Sequence, residues 1–116
     1  GGLGMGSAEG FHLVEELAAL LGGVVGASRP AIEGGWVSRA HQIGQSGKTV
    51  APRLYIACGI SGAMQHISGA MGSKYIVAVN KDPDASIFKV ADVGIVGDAL
   101  TILPLMMDEI RARKGL

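Results

Sequence analysis

Polar residues recur beside glycine where apolar runs end. Ser28 and Arg29 follow Val24–Ala27. Gly59, Ser61 and Gly62 follow Leu54–Cys58. Asn80 follows Tyr75–Val79, and Gly97-Asp98 follows Val93–Val96. Backbone N–H groups at a helix start after Ser61 would attract a phosphate. Arg29 adds a positive charge, and glycine lets a backbone come close. Asn80 and Asp98 offer partners for ribose hydroxyls or a base. This is the inventory of a nucleotide site without a hydrolytic one.

Other chemistries lack their residues. Gly44-Gln45-Ser46-Gly47-Lys48 echoes the end of a triphosphate loop, but it lies in a long loop rather than between strand and helix. Gly59-Ile60-Ser61-Gly62-Ala63 has its glycine displaced from the place a nucleophile elbow needs. His12, His41 and His66 are scattered and lack cysteine partners for a metal. No acid–base pair or nucleophile constellation stands out, so no catalytic residue is expected. Ten basic residues balance ten acidic ones, which argues against a nucleic-acid binder driven by bulk charge. No apolar run approaches the length of a membrane span, so no membrane insertion is expected. The start lacks the basic and apolar segments of a signal peptide. The lone Cys58 sits in an apolar run and reads as a small buried hydrophobe.

The elements that would position these residues alternate. Ser7 caps a predicted helix in which Val14, Leu17, Ala18 and Leu21 form one stripe, ended by Gly22-Gly23. Val24–Ala27 reads as a short buried strand, with Pro30 suited to the first turn of a helix after it. Residues 34–50 have no sustained period, and a loop that long is more often functional than filler. Leu54–Cys58 and a helix from Ala63 to Gly69 form a strand–turn–helix unit. Tyr75–Val79 and a turn at Asp82-Pro83-Asp84 begin a second, with one helical turn over Ile87–Ala91. Val93–Val96 is a further strand. A last helix is expected over roughly Leu103–Lys114, with Pro104 in its first turn. Strands alternating with helices predict an α/β fold, a parallel sheet with helices on both faces. All four polar strand ends would then share one edge, where open α/β sheets bind ligands. Pattern alone leaves the ligand open, because the glycines also read as tight turns, His66 as a structural residue and Arg29 as an ordinary exposed arginine.

Five ordered segments go further. They are Val25-Gly26-Ala27-Ser28-Arg29-Pro30, Gln42-Ile43-Gly44-Gln45-Ser46-Gly47-Lys48, residues 54–66 from Leu54 to His66, Val79-Asn80-Lys81-Asp82-Pro83, and Ala91-Asp92-Val93-Gly94-Ile95-Val96-Gly97-Asp98. This series closely resembles the C-terminal, FAD-binding domain of the electron-transfer flavoprotein α subunit, from Gly1 to about Ile110. The resemblance implies a Rossmann-like sheet, a DHS-like NAD/FAD-binding domain lacking its first strand, over residues 1–116. It implies FAD as cofactor and a heterodimer with a β subunit. It implies an electron carrier rather than an enzyme, moving electrons from flavin dehydrogenases to a quinone reductase or a ferredoxin-type acceptor. The compartment implied is bacterial or archaeal cytoplasm, or the mitochondrial matrix in a eukaryote. A non-redox adenine-nucleotide module and a module that only docks on a β subunit are the competing functions.

Position by position, the resemblance implies that Ser28 and Arg29 lie at the phosphates and the flavin ring. Gln42, Ile43, Gly44, Gln45 and Ser46 would cup the ring, with the Ser46 hydroxyl toward flavin N5. Gly59, Ser61, Gly62, Ala63, Met64, Gln65 and His66 would form the turn at the ribityl and phosphate portion, with His66 at the pyrimidine edge. Asn80, Asp98 and Ala99 match the adenosine end. Arg29 and His66 would draw electron density to the N1–C2=O side and raise the potential of the first electron. Two departures stand out. Leu3 replaces an arginine of the family's opening loop. The family's apolar strand before that loop, and its N-terminal domain, are not in the sequence, so the chain reads as a fragment of a longer subunit. A sheet lacking that strand would expose pairing groups.

Overall fold

The computed structural model describes residues 1–43, 52–62, 69–70 and 72–115. Its centre is a three-stranded parallel sheet in the order β1 (Leu54–Cys58), β2 (Tyr75–Asn80), β3 (Val93–Val96). Leu54 pairs with Tyr75 and Cys58 with Val79, while Val77 pairs with Val93 and Asn80 with Val96. Each strand is a short apolar run that ends at a polar residue or glycine. Such runs suit a sheet covered on both faces.

Alternation along the strands separates two cores. Cys58 and Val79 face α1 (Ala8–Leu21) and α3 (Ala99–Lys114), where Phe11, Leu17, Leu103 and Met107 pack against them. Tyr55, Ala57, Ile76 and Ala78 face the other way, toward Ile43, Ala70 and Ile87. The fold is α/β and Rossmann-like. α1 starts as the residue pattern predicts, with the Ser7 hydroxyl accepting from Gly10 N at 3.1 Å, and it stops at Gly22 with φ +69°. Its buried stripe is Phe11, Val14 and Leu17, whereas Leu21 is exposed.

Three expectations need correction. Val24–Ala27 is not a buried strand: Val24 is 96% exposed, and only Ala27 makes a parallel bridge, to Gln42. A buried strand needs partners on both edges along its length, and among the described residues only Ala27 bonds to a second segment through both its N–H and its C=O, with His41 O and Ile43 N, while Gly26 O accepts from Gly1 N. α3 begins at Ala99 rather than near Leu103, because Asp98 caps it by accepting from Leu100 N at 2.9 Å. Pro104 therefore lies inside the helix and removes one N–H from its ladder, where first-turn placement would have cost nothing. The turn expected over Ile87–Ala91 is a 3-10 turn at Ser86–Lys89. The helix expected over Ala63–Gly69 lies outside the described residues except for Gly69, which is helical together with Ala70 beyond it.

Among the described residues two ionisable side chains are locked in the interior. Burial pushes both the Cys58 thiol and the Tyr55 phenol above their ordinary ranges. The native chain thus keeps protons that the unfolded chain releases above about pH 8.5 for a thiol and about pH 10 for a phenol. Groups raised in the folded state stabilise it below those values and cease to do so as pH rises. The urea midpoint is expected to fall from about pH 8 to pH 10.5, each group contributing up to about 1.4 kcal/mol per pH unit once its unfolded form ionises. A flat midpoint over that window would contradict the buried placement.

Candidate functional site

Parallel pairing puts the C-terminal ends of all three strands on one edge, and backbone hydrogen bonds link the segments that leave it. Ser28 N donates to Gly1 O at 3.0 Å, and Gly2 N donates to Cys58 O at 3.0 Å. Gly4 N donates to Gly59 O at 2.9 Å. The Asn80 side-chain amide donates to Ile60 O at 3.0 Å, and Gly97 N donates to Asn80 O at 2.9 Å. Ser28, Gly59, Asn80 and the Gly97-Asp98 turn therefore lie along one hydrogen-bonded line. Residue pattern places them on that edge but misses the member that joins them, the segment Gly1–Gly4.

Positions 2 and 4 of that segment can sit there only as glycine, while Leu3 between them points to solvent. A Cβ on Gly2 would stand 2.7 Å from Gly59 O, and one on Gly4 would stand 2.7 Å from Gly59 Cα. Gly59 itself has φ +64°, and a Cβ there would meet the Gly4 backbone at 2.8 Å. Two backbones thus cross in contact. The alternating glycines of residues 1–6 were the available signal, since alternation is what a strand-like close crossing requires.

The remaining predicted residues divide by role. Ser28 precedes the short helix α2 (Arg29–Glu33) and is 8% exposed, and its Oγ has no hydrogen-bond partner among the described residues. Ser73 shares that property but lies just before β2, at the opposite end of the sheet. The Arg29 Nε contacts Glu33 Oε1 at 2.8 Å, and both side chains are largely exposed. Exposed pairs of this kind are worth about 0.2–1 kcal/mol, so an anionic ligand could compete for the guanidinium. Gln42 and Ile43 are buried beside Ala27, with Ile43 N donating to Ala27 O at 3.0 Å. Ser61 is exposed and its carbonyl accepts from Ile87 N at 2.9 Å. Gly62 has φ +90° and packs its Cα against the Ile87 backbone.

Asn80 and Asp98 are engaged in turns. Asn80 Oδ1 accepts from Asp82 N at 2.9 Å, while its amide nitrogen holds Ile60. Asp98 caps α3, and Ala99 is buried beneath that cap. Both polar side chains shape the edge before they could touch any ligand. Gly44, Gln45, Ser46, Ala63, Met64, Gln65 and His66 lie outside the described residues. Among the described residues no group of three His, Cys, Asp or Glu could hold a metal, and no helix is long and apolar enough to cross a membrane.

The family model described as "Electron transfer flavoprotein FAD-binding domain" matches residues 1–71. The chain belongs to this family. It is similar to the electron transfer flavoprotein subunit alpha of Thermoanaerobacterium thermosaccharolyticum, with 57% identity over 98% of this chain and 34% of that one. The mitochondrial subunit alpha of Dictyostelium discoideum is 57% identical over 98% of this chain and 32% of its own length. Protein FixB of Clostridium saccharobutylicum is 59% identical over 90% of this chain and 31% of its own length. The chain thus spans about a third of the length of these relatives.

The crossing gives a stability prediction with an internal control. Gly59 and Gly22 have similar φ, +64° and +69°, but a Cβ on Gly22 has nothing within 4 Å. Gly22→Ala is expected to cost about 1 kcal/mol, from backbone strain alone. Gly59→Ala adds the collision with Gly4 and should cost about 1–3 kcal/mol more. Equal losses in urea unfolding would mean that the Gly4–Gly59 crossing is not tight.

Proposed function

We propose that residues 1–116 form the single FAD-binding domain of an electron-transfer flavoprotein α subunit, lying in the C-terminal part of a longer polypeptide. The observation that carries this reading is Ser28. A buried hydroxyl without a partner is costly, and this one, which has none among the described residues, sits on the candidate ligand edge of a chain that belongs to a FAD-binding domain family. The other residues fit the group. The edge offers the exposed residues Ser61 and Asp98, a positive charge at Arg29, and glycine where bulk would block approach.

In this reading the Ser28 Oγ donates to a phosphate oxygen. Arg29 exchanges its exposed Glu33 partner for the ligand's negative charge. Gln42 and Ile43, buried beside Ala27, fix where the ring-side loop begins. Asn80 and Asp98 hold the turns at the adenosine end. FAD itself, when bound, supplies the one- and two-electron redox chemistry. Gly44, Gln45, Ser46, Ala63, Met64, Gln65 and His66 keep the roles that the family resemblance implies. The chain then acts as a carrier without substrate turnover, paired with a β subunit and passing electrons from flavin dehydrogenases to a quinone reductase or ferredoxin-type acceptor. A bacterial or archaeal cytoplasm is its expected compartment, with the mitochondrial matrix the eukaryotic equivalent.

The test is the spectrum and the affinity of the purified chain. Visible flavin absorbance is expected after incubation with FAD, and Ser28→Ala should weaken binding by about tenfold or more, the size of one hydrogen bond to a charged group. Adenine absorbance alone would favour a non-redox nucleotide module, and no bound nucleotide would favour a docking module. Arg29→Ala is expected to lower the potential of the first electron. An exposed pair of about 1 kcal/mol at most corresponds to about 40 mV for one electron. An unchanged potential in a variant that still binds FAD would remove Arg29 from that role.

A further inference from the structure

The short helix α2 departs from local helix chemistry at both ends. Its N-cap is Ser28, yet the Ser28 hydroxyl makes no capping bond, whereas Ser7 and Asp98 both cap the helices they precede. Its first residue is Arg29 and its last is Glu33. A cation at the N-terminal end and an anion at the C-terminal end each stand against the partial charge of that helix end. The two side chains pair with each other, Arg29 Nε donating to Glu33 Oε1 at 2.8 Å. That pair runs cation first, the order that helices favour less. The other two ion pairs among the described residues run acid first: Asp108 with Arg111 and Glu109 with Arg113, both on α3.

Helix stability does not account for this arrangement. The end of α2 is closed by backbone, with Gly34 N donating to Pro30 O at 3.0 Å and Trp36 N to Ala31 O at 3.2 Å. Ala31 is buried and holds the helix on the core, while Arg29 and Glu33 are largely exposed. Departures from local rules that cluster in one short element are expected at functional sites. Here they converge on Arg29 and its neighbour Ser28, at the candidate cofactor edge. Glu33 is the ionic partner of Arg29 among the described residues.

We infer that Glu33 is a built-in competitor for Arg29: its carboxylate holds the guanidinium until an anionic ligand at Ser28 takes it, and so limits how tightly that ligand binds. This rests on the FAD reading above for the identity of the ligand, and it makes Glu33 a positioning residue that acts through Arg29. The competitor sits one helical turn away on the same element, so dilution never removes it. A ligand that needs the free guanidinium has its intrinsic affinity reduced by the fraction of chains in which Arg29 is free. An exposed pair leaves that fraction between about 0.7 and about 0.2, a penalty of about 1.4-fold to fivefold. Salt at about 1 M screens such a pair almost completely. Neutralising Glu33 also removes an anion from the negative end of α2, so the fold should not suffer.

The experiment measures FAD affinity in four chains of residues 1–116: the parent, Glu33→Gln, Arg29→Ala and the double variant. Quenching of Trp36 fluorescence, the one tryptophan of the chain, reports binding. Glu33→Gln is expected to lower the FAD Kd by about 1.4-fold to fivefold at low salt, an advantage that disappears near about 1 M. In the Arg29→Ala background the same substitution should change nothing. The Arg29 Nε–H resonance should move on Glu33→Gln without FAD, and in the parent on adding FAD. A resonance that Glu33→Gln leaves in place would overturn the pair itself. An unchanged Kd in Glu33→Gln would overturn the competition, and so would a raised one, which would mean that Glu33 presents Arg29 to the ligand. Tightening that persists without Arg29 would overturn the route through Arg29 and leave direct repulsion. If the parent does not bind FAD, the functional reading falls and the competition with it, whereas a parent that binds and a Glu33→Gln chain that binds no tighter remove the competition alone.

Discussion

The structure depends on one close crossing of backbones. Residues 1–4 run against Gly59 and Ile60 at the end of β1, with no side chain between them. Gly4 N bonds to Gly59 O, and a Cβ on Gly2, Gly4 or Gly59 would collide with the facing backbone. The contact brings the start of the chain to the middle of the sheet edge. It also brings Ser28 within reach, because Ser28 N bonds to Gly1 O. Met5, next along, is fully buried and anchors the turn into the same core as Phe11 and Leu103. Without the crossing, α1 would lose its register on the sheet and Ser28 its neighbour.

Polar groups on this edge serve structure first. Asn80 ties the β1 turn to the β2 turn, Asp98 starts α3, and Asp82 closes its own turn by accepting from Asp84 N. Such capped and turn-bonded groups cost little to keep in place, so the edge is formed before any ligand arrives. Ser28 is the exception, since its hydroxyl is buried and has no partner among the described residues. An ordered edge with one unmet donor is what a preformed phosphate site requires.

Much of this is legible from residue types. The three strands are apolar runs closed by Gly59, Asn80 and Gly97, and nothing in the tertiary structure overrides them. Ser7 and Gly22 mark α1 by local chemistry alone. Where pattern misleads, neighbours decide. Val24–Ala27 has the residues of a strand but lacks partners along most of its length. Pro104 looks like a first-turn residue because the capping of Asp98 is a matter of side-chain geometry, not of spacing. The contact of Gly2 and Gly4 with Gly59 joins residues more than fifty positions apart, and no local window contains it. Pattern names Ser28, Arg29, Ser61, Asn80 and Asp98 at the strand ends, the family likeness adds the others, and the structure adds the order in which Ser28, Gly59, Asn80 and Asp98 stand along the edge.

The proposed ligand surface runs over Ser28, Gly59–Gly62, Asn80 and Gly97–Ala99 as one unit. Amide chemical-shift mapping of the chain during titration with FAD tests it most directly. Perturbations are expected along all four segments at a common affinity, with Tyr75 and Asp92 at the opposite end of the sheet unmoved. Shifts confined to one segment, or centred on Tyr75 and Asp92, would contradict it.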